Sequence, residues 1–349
     1  MEDLFEIKPV DRQFYETRLK DFLPPNIIDI HTHVWLDCFK SQDTAAPRRT
    51  VTWPRLVAKE NPIEDLLQTY RLMFPDKHVT PMIFSSLEPQ DDMDAANDYI
   101  SQSASRYDLP SLIFARPQWS SAEFEQRITA GRFLGAKVYL TMADPAIPKN
   151  EIQIFDFLPH HQLEVLDKHQ WIAILHIPRD KRLRDPVNLA QMLEIERTYP
   201  NLTLIIAHVG RAYCIEDVAN AFEVLADTKR MLFDISANTN TQVFSRLIDA
   251  VGPRRILFGS DLPILRMRMR RITENARYVN LVPKGLYGDV SGDPNMRAIE
   301  GPDAENLTFF MYEEIDAFRT AAETAHLTSP DIEDIFHNNA RRVIDSARQ

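Results

Sequence analysis

The alternation of strand-like and helix-like segments constrains the fold of this chain more than any other feature. Eight short apolar runs, rich in β-branched residues, alternate with segments of helical periodicity. Several of the runs are apolar on both faces, as parallel strands covered by helices require. The predicted strands are residues 26–35, 79–86, 111–119, 133–140, 171–178, 202–210, 230–238 and 255–263. The predicted helices are Pro62–Phe74, Asp91–Arg106, Ser120–Ala130, His160–Gln170, Pro186–Thr198, Ile215–Thr228 and Thr239–Val251.

Eight alternations over roughly 250 residues predict an α/β fold, the (β/α)₈ TIM barrel. The competing architecture is a doubly wound open sheet. It is disfavoured because no Gly-x-Gly-x-x-Gly motif follows any predicted strand. It is also disfavoured because candidate site residues end the first, fifth, sixth and eighth strands, and these ends must converge only in a closed barrel.

We expect the whole chain, residues 1–349, to form a single domain. Three segments fall outside the repeat: an N-terminal extension (1–25), an excursion after strand one (36–61) and an excursion after strand eight (264–302). Both excursions leave from the carboxyl ends of strands, where barrel active sites lie, so we expect them to form lids over a pocket. Two helices, about Asp303–Ala325 and Ser329–Ala347, finish the chain.

Candidate metal ligands stand at the carboxyl ends of these strands. The first strand closes on His31-Thr32-His33, and side chains two apart on a strand point to the same side. Such a pair is also explained by two histidines that bond to loops, but the fifth and eighth strands end in His176 and Asp261. Three imidazoles and one carboxylate suit Zn²⁺, with Mn²⁺ or another transition ion as an alternative. The sequence therefore predicts one divalent metal ion held by these four side chains.

His208 ends the sixth strand at the matching position. It has two interpretations, a further metal ligand or a base and electrostatic partner, and we favour the second. Asp261 has a second use as well, because its carboxylate can accept a proton from a metal-activated water and pass it to a leaving group. We therefore predict that His208 and Asp261 are the catalytic residues.

Composition limits the partners and the compartment. The chain has 44% apolar and 26% charged residues, as soluble globular proteins do. A net charge of −11 argues against nucleic acid or an anionic membrane surface as a partner. The two cysteines, Cys38 and Cys214, are too few for a disulfide framework, and the acidic N-terminus does not read as a signal peptide. We expect a cytoplasmic enzyme with a small-molecule substrate, and the sequence leaves a homo-oligomer open.

Taken together, the motifs resemble the amidohydrolase superfamily over about residues 26–345. Within it they are similar to the amidohydrolase-related branch, which includes aminocarboxymuconate-semialdehyde decarboxylase-like enzymes and metal-dependent lactonases. The motifs are Ile28–His33, the lone His176, Ala207-His208-Val209-Gly210, Leu257-Phe258-Gly259-Ser260-Asp261 and Asn338-Asn339-Ala340-Arg341-Arg342-Val343.

The resemblance implies one divalent metal, commonly zinc, held by the residues that match His31, His33, His176 and Asp261. It also implies that His208 activates water or assists the substrate without binding the metal. The branch contains both hydrolases and non-oxidative decarboxylases, so the resemblance does not choose the reaction.

Lys137, on the fourth predicted strand, has three interpretations. It could be a pocket cation that faces the substrate, or a salt-bridge partner at the strand end. The resemblance adds a third, because binuclear superfamily members carry a carboxylated lysine on that strand as a bridge between two metals. We favour the first interpretation and a single metal.

Arginines near the strand ends bear on the substrate class. Arg116, Arg179 and Arg211 follow the third, fifth and sixth strands, and a guanidinium can hold a carboxylate through two hydrogen bonds. A structural ion pair explains each of them at least as well. Because all three stand beside the proposed metal, we nevertheless predict that these arginines and Lys137 bind an anionic or polyhydroxylated substrate. The run Arg266–Arg271 is the densest basic patch, and is either a solvated or subunit-facing helix surface or a lid that grips an anion.

The chain is thus interpreted as a metal-dependent hydrolase. Metal-activated water would attack an ester, lactone or amide carbonyl of a small anionic or polyhydroxylated substrate. The alternative is a non-oxidative decarboxylase of a carboxylated aromatic or unsaturated acid, which needs the same ligands. A third interpretation is a barrel that keeps its metal for structure only.

Overall fold

Eight parallel strands form the centre of the molecule. The computed structural model describes residues 4–41 and 49–349. The strands are β1 (Asn26–His33), β2 (His78–Phe84), β3 (Ile113–Phe114), β4 (Gly135–Val138), β5 (Ile172–Leu175), β6 (Thr203–Ile206), β7 (Leu232–Asp234) and β8 (Ile256–Leu257). Each predicted strand is present, but the regular ladders are shorter than the apolar runs. In the third run, for example, the regular ladder covers only Ile113–Phe114.

Backbone pairing closes the strands into a barrel. Strands β1 and β2 pair in parallel, and β3 to β8 pair in parallel in sequence order. Two single parallel bridges, Ile83–Ser111 and Thr32–Leu262, join these sheets at both seams. The predicted (β/α)₈ fold is confirmed, and in this fold the carboxyl ends of all eight strands face one mouth.

Helices surround the barrel and close its end. They are α1 (Pro9–Phe14), α2 (Ile63–Met73), α3 (Met93–Tyr107), α4 (Ser121–Gly131), α5 (His160–Lys168), α6 (Pro186–Thr198), α7 (Ala221–Leu225), α8 (Thr241–Val251), α9 (Pro302–Glu305), α10 (Phe310–Thr324), α11 (Ser329–Glu333) and α12 (Asn339–Ala347). Turns of π-helix, Tyr15–Leu19 and Asp334–Asn338, continue α1 and join α11 to α12. Among the described residues, none of these helices has both the length and the apolarity that a membrane span needs.

Two predicted helices are interrupted. The helix expected over about Asp303–Ala325 is divided into α9 and α10, and the helix expected over Ile215–Thr228 is wrong. Instead of a continuous helix over Ile215–Thr228, the chain forms a 3₁₀ turn, Ile215–Asp217, followed by the short α7. The break lies at Ala219, whose φ of +45° is incompatible with a right-handed helix. The apolar periodicity of this segment survives the break, which is why the sequence suggested one helix.

The excursion after β8 is a small sheet rather than an irregular loop. Strands β9 (Arg270–Glu274) and β10 (Arg277–Pro283) pair antiparallel, and β11 (Met296–Ile299) pairs in parallel with β10. The hairpin turn is Asn275-Ala276, and both residues have positive φ, as tight two-residue hairpins require. We call residues 270–299 the lid sheet.

The lid sheet lies against loops at the carboxyl ends of the barrel strands. Thr273 Oγ1 lies 3.6 Å from Cys214 Sγ, which follows β6. On the other side, Trp53 Nε1 of the first excursion lies 3.4 Å from the hydroxyl of Tyr278. Part of that excursion, residues 42–48, lies outside the described residues. These contacts support the predicted lids, whose role in covering a pocket stays a prediction.

Candidate metal centre

The side chains singled out at the strand ends lie together at the carboxyl mouth of the barrel. His31 and His33 belong to β1, His208 follows β6 by two residues and Asp261 follows β8 by four. One ligand atom each from His31, His208 and Asp261 fall within 4.8 Å of one another. His33 Nε2 lies 3.0 Å from Asp261 Oδ1. A hydrogen bond from Asp261 N to His31 O, at 2.8 Å, holds this seam of the barrel.

A carboxylate that the sequence analysis did not single out orients the first histidine. Asp234, the last residue of β7, accepts a hydrogen bond from His31 Nδ1 at 2.8 Å. Both side chains are fully buried. A carboxylate on one imidazole nitrogen fixes the tautomer and leaves the other nitrogen bare for a metal. The available signal was an aspartate inside the apolar run Met231–Ile235, a residue type that strands rarely bury without a role.

The orientation of the histidines fits a bound cation. His33 Nδ1 lies 3.1 Å from Ser85 O, and because a carbonyl can only accept, this nitrogen carries the proton. His33 Nε2 is then bare, yet it faces the carboxylate oxygen Asp261 Oδ1 at 3.0 Å. His31 Nε2 is also bare, because the proton of that ring is on Nδ1, which donates to Asp234. His31 Nε2 lies 3.5 Å from Asp261 Oδ1. Lone pairs on three atoms that face each other this closely require a cation or a proton between them.

His208 presents its outer nitrogen to the same space. Its Nδ1 lies 2.8 Å from Ser236 Oγ and 3.2 Å from Ser236 O, so Nδ1 donates and Nε2 is bare. Its backbone N donates to Asp234 Oδ1 at 2.8 Å, so one carboxylate supports both His31 and His208. Ser236, like Asp234, is not among the site residues predicted from the sequence. The geometry is compatible with a ligand or a base, the two interpretations left open for His208.

A left-handed turn carries His208. Residues 208–211 all have positive φ, from 50° to 62°, and Val209 is a β-branched residue for which this conformation is a strong outlier. Such residues cost about 1–3 kcal/mol each and persist where the surrounding structure enforces them. A bond from Gly210 N to Ala207 O, 2.9 Å, closes the turn. Backbone strain is therefore concentrated at a predicted catalytic residue.

His176 lies beside this group. Its ring packs edge-on against Tyr139, with centroids 4.6 Å apart, and against His208 at 5.4 Å. It is 7% exposed, and its Nδ1 has no hydrogen-bond partner among the described residues. Burial, together with Arg211 and His208, holds the pKa of His176 well below its usual range. A neutral, buried imidazole with an unsatisfied nitrogen is compatible with the predicted ligand role.

Lys137 lies inside the barrel, 1% exposed, with Nζ 3.2 Å from His31 Nε2. Its other close contact is the face of the Phe84 ring. Among the described residues it has no ion pair, so the salt-bridge interpretation finds no partner there. Burial lowers the pKa of Lys137 to about 8. A proton on Lys137 is thus held less firmly than on an ordinary lysine.

The charge state of the site follows from burial and neighbours. Burial alone would raise the pKa of Asp261, but His208 and the close contact with His33 outweigh it and lower that pKa to about 2. Burial and the neighbouring Lys137 lower the pKa of His31 to about 3. Asp261 is therefore ionised and His31 neutral at pH 7, the protonation states that metal ligation requires.

The three predicted substrate-binding arginines have different surroundings. Arg211 Nη1 donates to three backbone carbonyls, those of residues 177, 178 and 179, at 3.0–3.3 Å. Arg179 Nε lies 3.1 Å from Asp185 Oδ1, an ion pair at the start of α6. Arg116 Nη2 donates to Pro89 O at 3.2 Å. Arg211 lies close enough to His176 to contribute to the lowering of its pKa, whereas Arg179 already has an acidic partner.

Comparison with known proteins identifies the family. The family model described as amidohydrolase matches residues 28–345. The chain belongs to the amidohydrolase family. This confirms the family that the motifs resemble. No curated protein sequence matches this amidohydrolase.

Solved structures resemble this amidohydrolase in fold. An amidohydrolase from Burkholderia multivorans with bound zinc has a TM-score of 0.60 and 12% identity, covering 91% of this chain and 99% of its own. A protein from Acinetobacter baumannii, described as a probable 2-pyrone-4,6-dicarboxylic acid hydrolase with citric acid bound, has a TM-score of 0.55, 15% identity and coverages of 92% and 99%. A dihydroxybenzoic acid decarboxylase from Polaromonas sp. JS666 with bound manganese has a TM-score of 0.55, 16% identity and coverages of 92% and 97%. At these identities the likeness concerns the fold alone.

Proposed function

We propose that this amidohydrolase is a metal-dependent hydrolase of an ester, lactone or amide in a small anionic molecule. The observation that carries the proposal is the position of Asp261 Oδ1, within 3.5 Å of the bare Nε2 atoms of both His31 and His33. These donors, together with His176, suit one divalent ion, and three imidazoles with one carboxylate favour zinc. When bound, such an ion lowers the pKa of water and polarises a carbonyl.

Asp261 is the proposed proton acceptor. With a pKa of about 2 it is a carboxylate at neutral pH, and it lies against the candidate ligands, where an attacking water must lose its proton. It can then return that proton to the leaving oxygen or nitrogen. The bare Nε2 of His208 faces the same space, fixed by its bonds to Ser236. We assign His208 to orienting the water and shielding the developing charge, in line with its predicted non-ligand role.

Lys137 and Arg211 are the proposed contacts to the substrate. Lys137 Nζ lies 3.2 Å from a candidate ligand, so an ammonium there can donate to a carbonyl oxygen or a carboxylate beside it. Arg211 donates to backbone carbonyls through Nη1. Its Nε and Nη2 groups can donate to a substrate. The low cysteine content supports a reducing compartment, the cytoplasm.

Decarboxylation of an aromatic or unsaturated acid is the second candidate. It is retained because the fold relatives include a protein described as a decarboxylase, and because Lys137 provides a buried cation beside the candidate ligands, where a substrate carboxylate could lie. Both reactions use the same donors, so the products decide between them.

The test is a screen of the zinc- and manganese-loaded protein on lactones, amides and aromatic acids in ¹⁸O-labelled water. Hydrolysis puts solvent oxygen into the organic product. Decarboxylation releases CO₂ and leaves an organic product that contains no solvent oxygen. Elemental analysis should find about one divalent ion per chain. The matched control is His31→Ala/His33→Ala, which should lose both metal and turnover. A folded, active preparation without metal would contradict the proposal.

A further inference from the structure

The basic run Arg266–Arg271 is not a helix surface. Its last two residues begin β9, where neighbouring side chains point to opposite faces. Arg268, before the strand, is buried against Asp11 through two hydrogen bonds of 2.8 and 2.7 Å. Arg270 is exposed and lies 3.5 Å from Glu313. Arg271 differs from both, because no acidic side chain among the described residues pairs with it.

Among the described residues, the hydrogen-bond partners of Arg271 and the rings that it stacks on are all neutral. Its Nε donates to Asn280 Oδ1 at 2.9 Å, and its Nη1 donates to Ala237 O at 2.6 Å. Its guanidinium lies over three aromatic rings, those of Tyr213, Tyr278 and Phe310, at 4.4–5.1 Å. Burial lowers the pKa of Arg271, which nonetheless remains charged. A positive charge in such surroundings is costly unless an anion accompanies it.

Further guanidinium groups surround the same tyrosine. Arg182 lies over the rings of Tyr213 and Tyr278, at 5.1 and 5.4 Å, and is balanced by Asp217 at 2.6 Å. Burial raises the pKa of Tyr213, and the nearby positive charge of Arg211 opposes that rise. Among the described residues, the side chain of Arg211 donates to backbone carbonyls and has no acidic partner. Within the described part of the chain, the three arginines thus have a single carboxylate partner.

This cluster shares its supports with the metal centre. Arg211 ends the left-handed turn that begins at His208. The carbonyl that anchors Arg271 belongs to Ala237, and the preceding residue, Ser236, holds His208 Nδ1 at 2.8 Å. The cluster and the metal centre are therefore built on the same two segments, residues 208–211 and 236–237. Tyr213, Arg211 and Arg271 are each partly exposed, so solvent reaches the group.

We propose that Arg271 and Arg211, around Tyr213, form a second anion-binding site that holds a carboxylate or phosphate group of the substrate remote from the reacting carbonyl. The inference rests on the proposed function and narrows its substrate class to molecules with two anionic groups or with one distal anion. Unused N–H groups on each guanidinium can donate to such oxygens, with geometry that a neutral group cannot match. The lid sheet would thereby select the substrate.

The test measures binding, so it needs no turnover. Isothermal titration of the zinc-loaded protein uses dicarboxylates of three to six carbons, 4-phosphonobutyrate, and butyrate as the monoanionic control. We expect one of the longer dianions to bind more tightly than butyrate. Arg271→Gln should weaken the binding of that dianion about 10- to 100-fold, the loss expected for charged hydrogen bonds. The affinity for butyrate should stay unchanged. If Arg271→Gln weakens the binding of a dicarboxylate, the distal group is a carboxylate. If it weakens the binding of 4-phosphonobutyrate instead, the distal group is a phosphate.

Arg270→Gln is the matched control, because it removes the same charge from the other face of the same strand. It should change neither the affinity for the dianion nor the affinity for butyrate. Metal content and thermal unfolding report whether each variant is folded. If Arg271→Gln does not fold, Arg271→Lys takes its place. Lysine keeps the positive charge but lacks the paired N–H groups of a guanidinium, so this variant should still weaken dianion binding measurably. Equal affinities in the wild type and the Arg271 variant, or no dianion that binds better than butyrate, would overturn the inference. Arg271-dependent binding without any turnover would instead count against the proposed hydrolase alone.

Discussion

The imidazole of His31 and the carboxylate of Asp234 lie 2.8 Å apart, although 203 positions separate them in the chain. This bond determines which nitrogen of His31 faces the site. The same carboxylate also accepts the backbone N–H of His208 and the hydroxyl of Ser236. Asp234 therefore holds two strands of the candidate metal centre in register, and its pKa stays below the usual range because His31, His208 and Ser236 outweigh burial.

Replacement of Asp234 by Asn should weaken metal binding. The loss of the negative charge behind His31 lowers the basicity of its other nitrogen, and changes of this kind cost about 10- to 100-fold in metal affinity. Competition with a chelator of known affinity measures the change. Asp249→Asn, on the exposed side of α8, is the control and should bind metal as the wild type does. Unaltered affinity in the Asp234 variant would mean that His31 is not a ligand.

His208→Ala should separate metal binding from catalysis. We expect the variant to keep its metal while kcat falls about 10²-fold or more, the range for a lost acid–base group. Elemental analysis and turnover are measured on the same preparation. Because His208 falls within the 4.8 Å group with His31 and Asp261, loss of the metal is the informative contrary result. It would make His208 a ligand.

Gly210→Ala should damage both stability and turnover. A Cβ at Gly210, where φ is +62°, would lie 2.5 Å from Leu183 Cδ1, so either the buried Leu183 side chain or the turn that carries His208 must shift. Gly288→Ala is the control, since its φ is +73° but nothing lies within 4 Å of its Cβ. Left-handed backbone alone costs about 1–2 kcal/mol of unfolding free energy, so both variants should lose that much and Gly210→Ala more. Chemical denaturation and kcat check this, and equal losses with normal kcat would contradict it.

Glu314→Gln should stabilise the protein at alkaline pH. Glu314 on α10 is fully buried, and both its carboxylate oxygens lack a well-formed hydrogen bond among the described residues. Burial, with the nearby carboxylates of Asp29 and Asp234, raises its pKa well above the usual range. The folded-state pKa of Glu314 exceeds its unfolded-state value of about 4.3. The stabilising contribution of protonated Glu314 is therefore complete below about pH 4.3, and it is lost as the pH rises through the folded-state pKa.

The measurement is the thermal midpoint of wild type and Glu314→Gln between pH 5 and pH 9. The amide cannot ionise, so the variant should be close to the wild type at pH 5 and more stable than it at pH 9. Glu313→Gln, the neighbouring position, tests whether any glutamate on this helix would behave alike; it lies 3.5 Å from Arg270 and should show a smaller gain. Parallel pH profiles for wild type and Glu314→Gln would show that Glu314 does not titrate as argued.

The sequence was sufficient where a local rule decides the outcome. The two-residue period of a strand places His31 and His33 on one side, and eight apolar runs with helices between them specify the barrel. In a closed barrel, residues at the carboxyl ends of strands must share one mouth, so His208 and Asp261 could be placed without coordinates. These conclusions need only periodicity and chain connectivity.

Only the tertiary structure decided the partners. Nothing local distinguishes Arg270 from Arg271, yet one lies against Glu313 and the other lies on aromatic rings, because the strand face depends on what β9 packs against. The strained turn at His208 is also invisible locally, since Val209 has no intrinsic preference for a left-handed backbone. Asp234 reaches His31 because the barrel brings β7 and β1 to one centre, and long-range contacts of this kind leave no trace in sequence spacing.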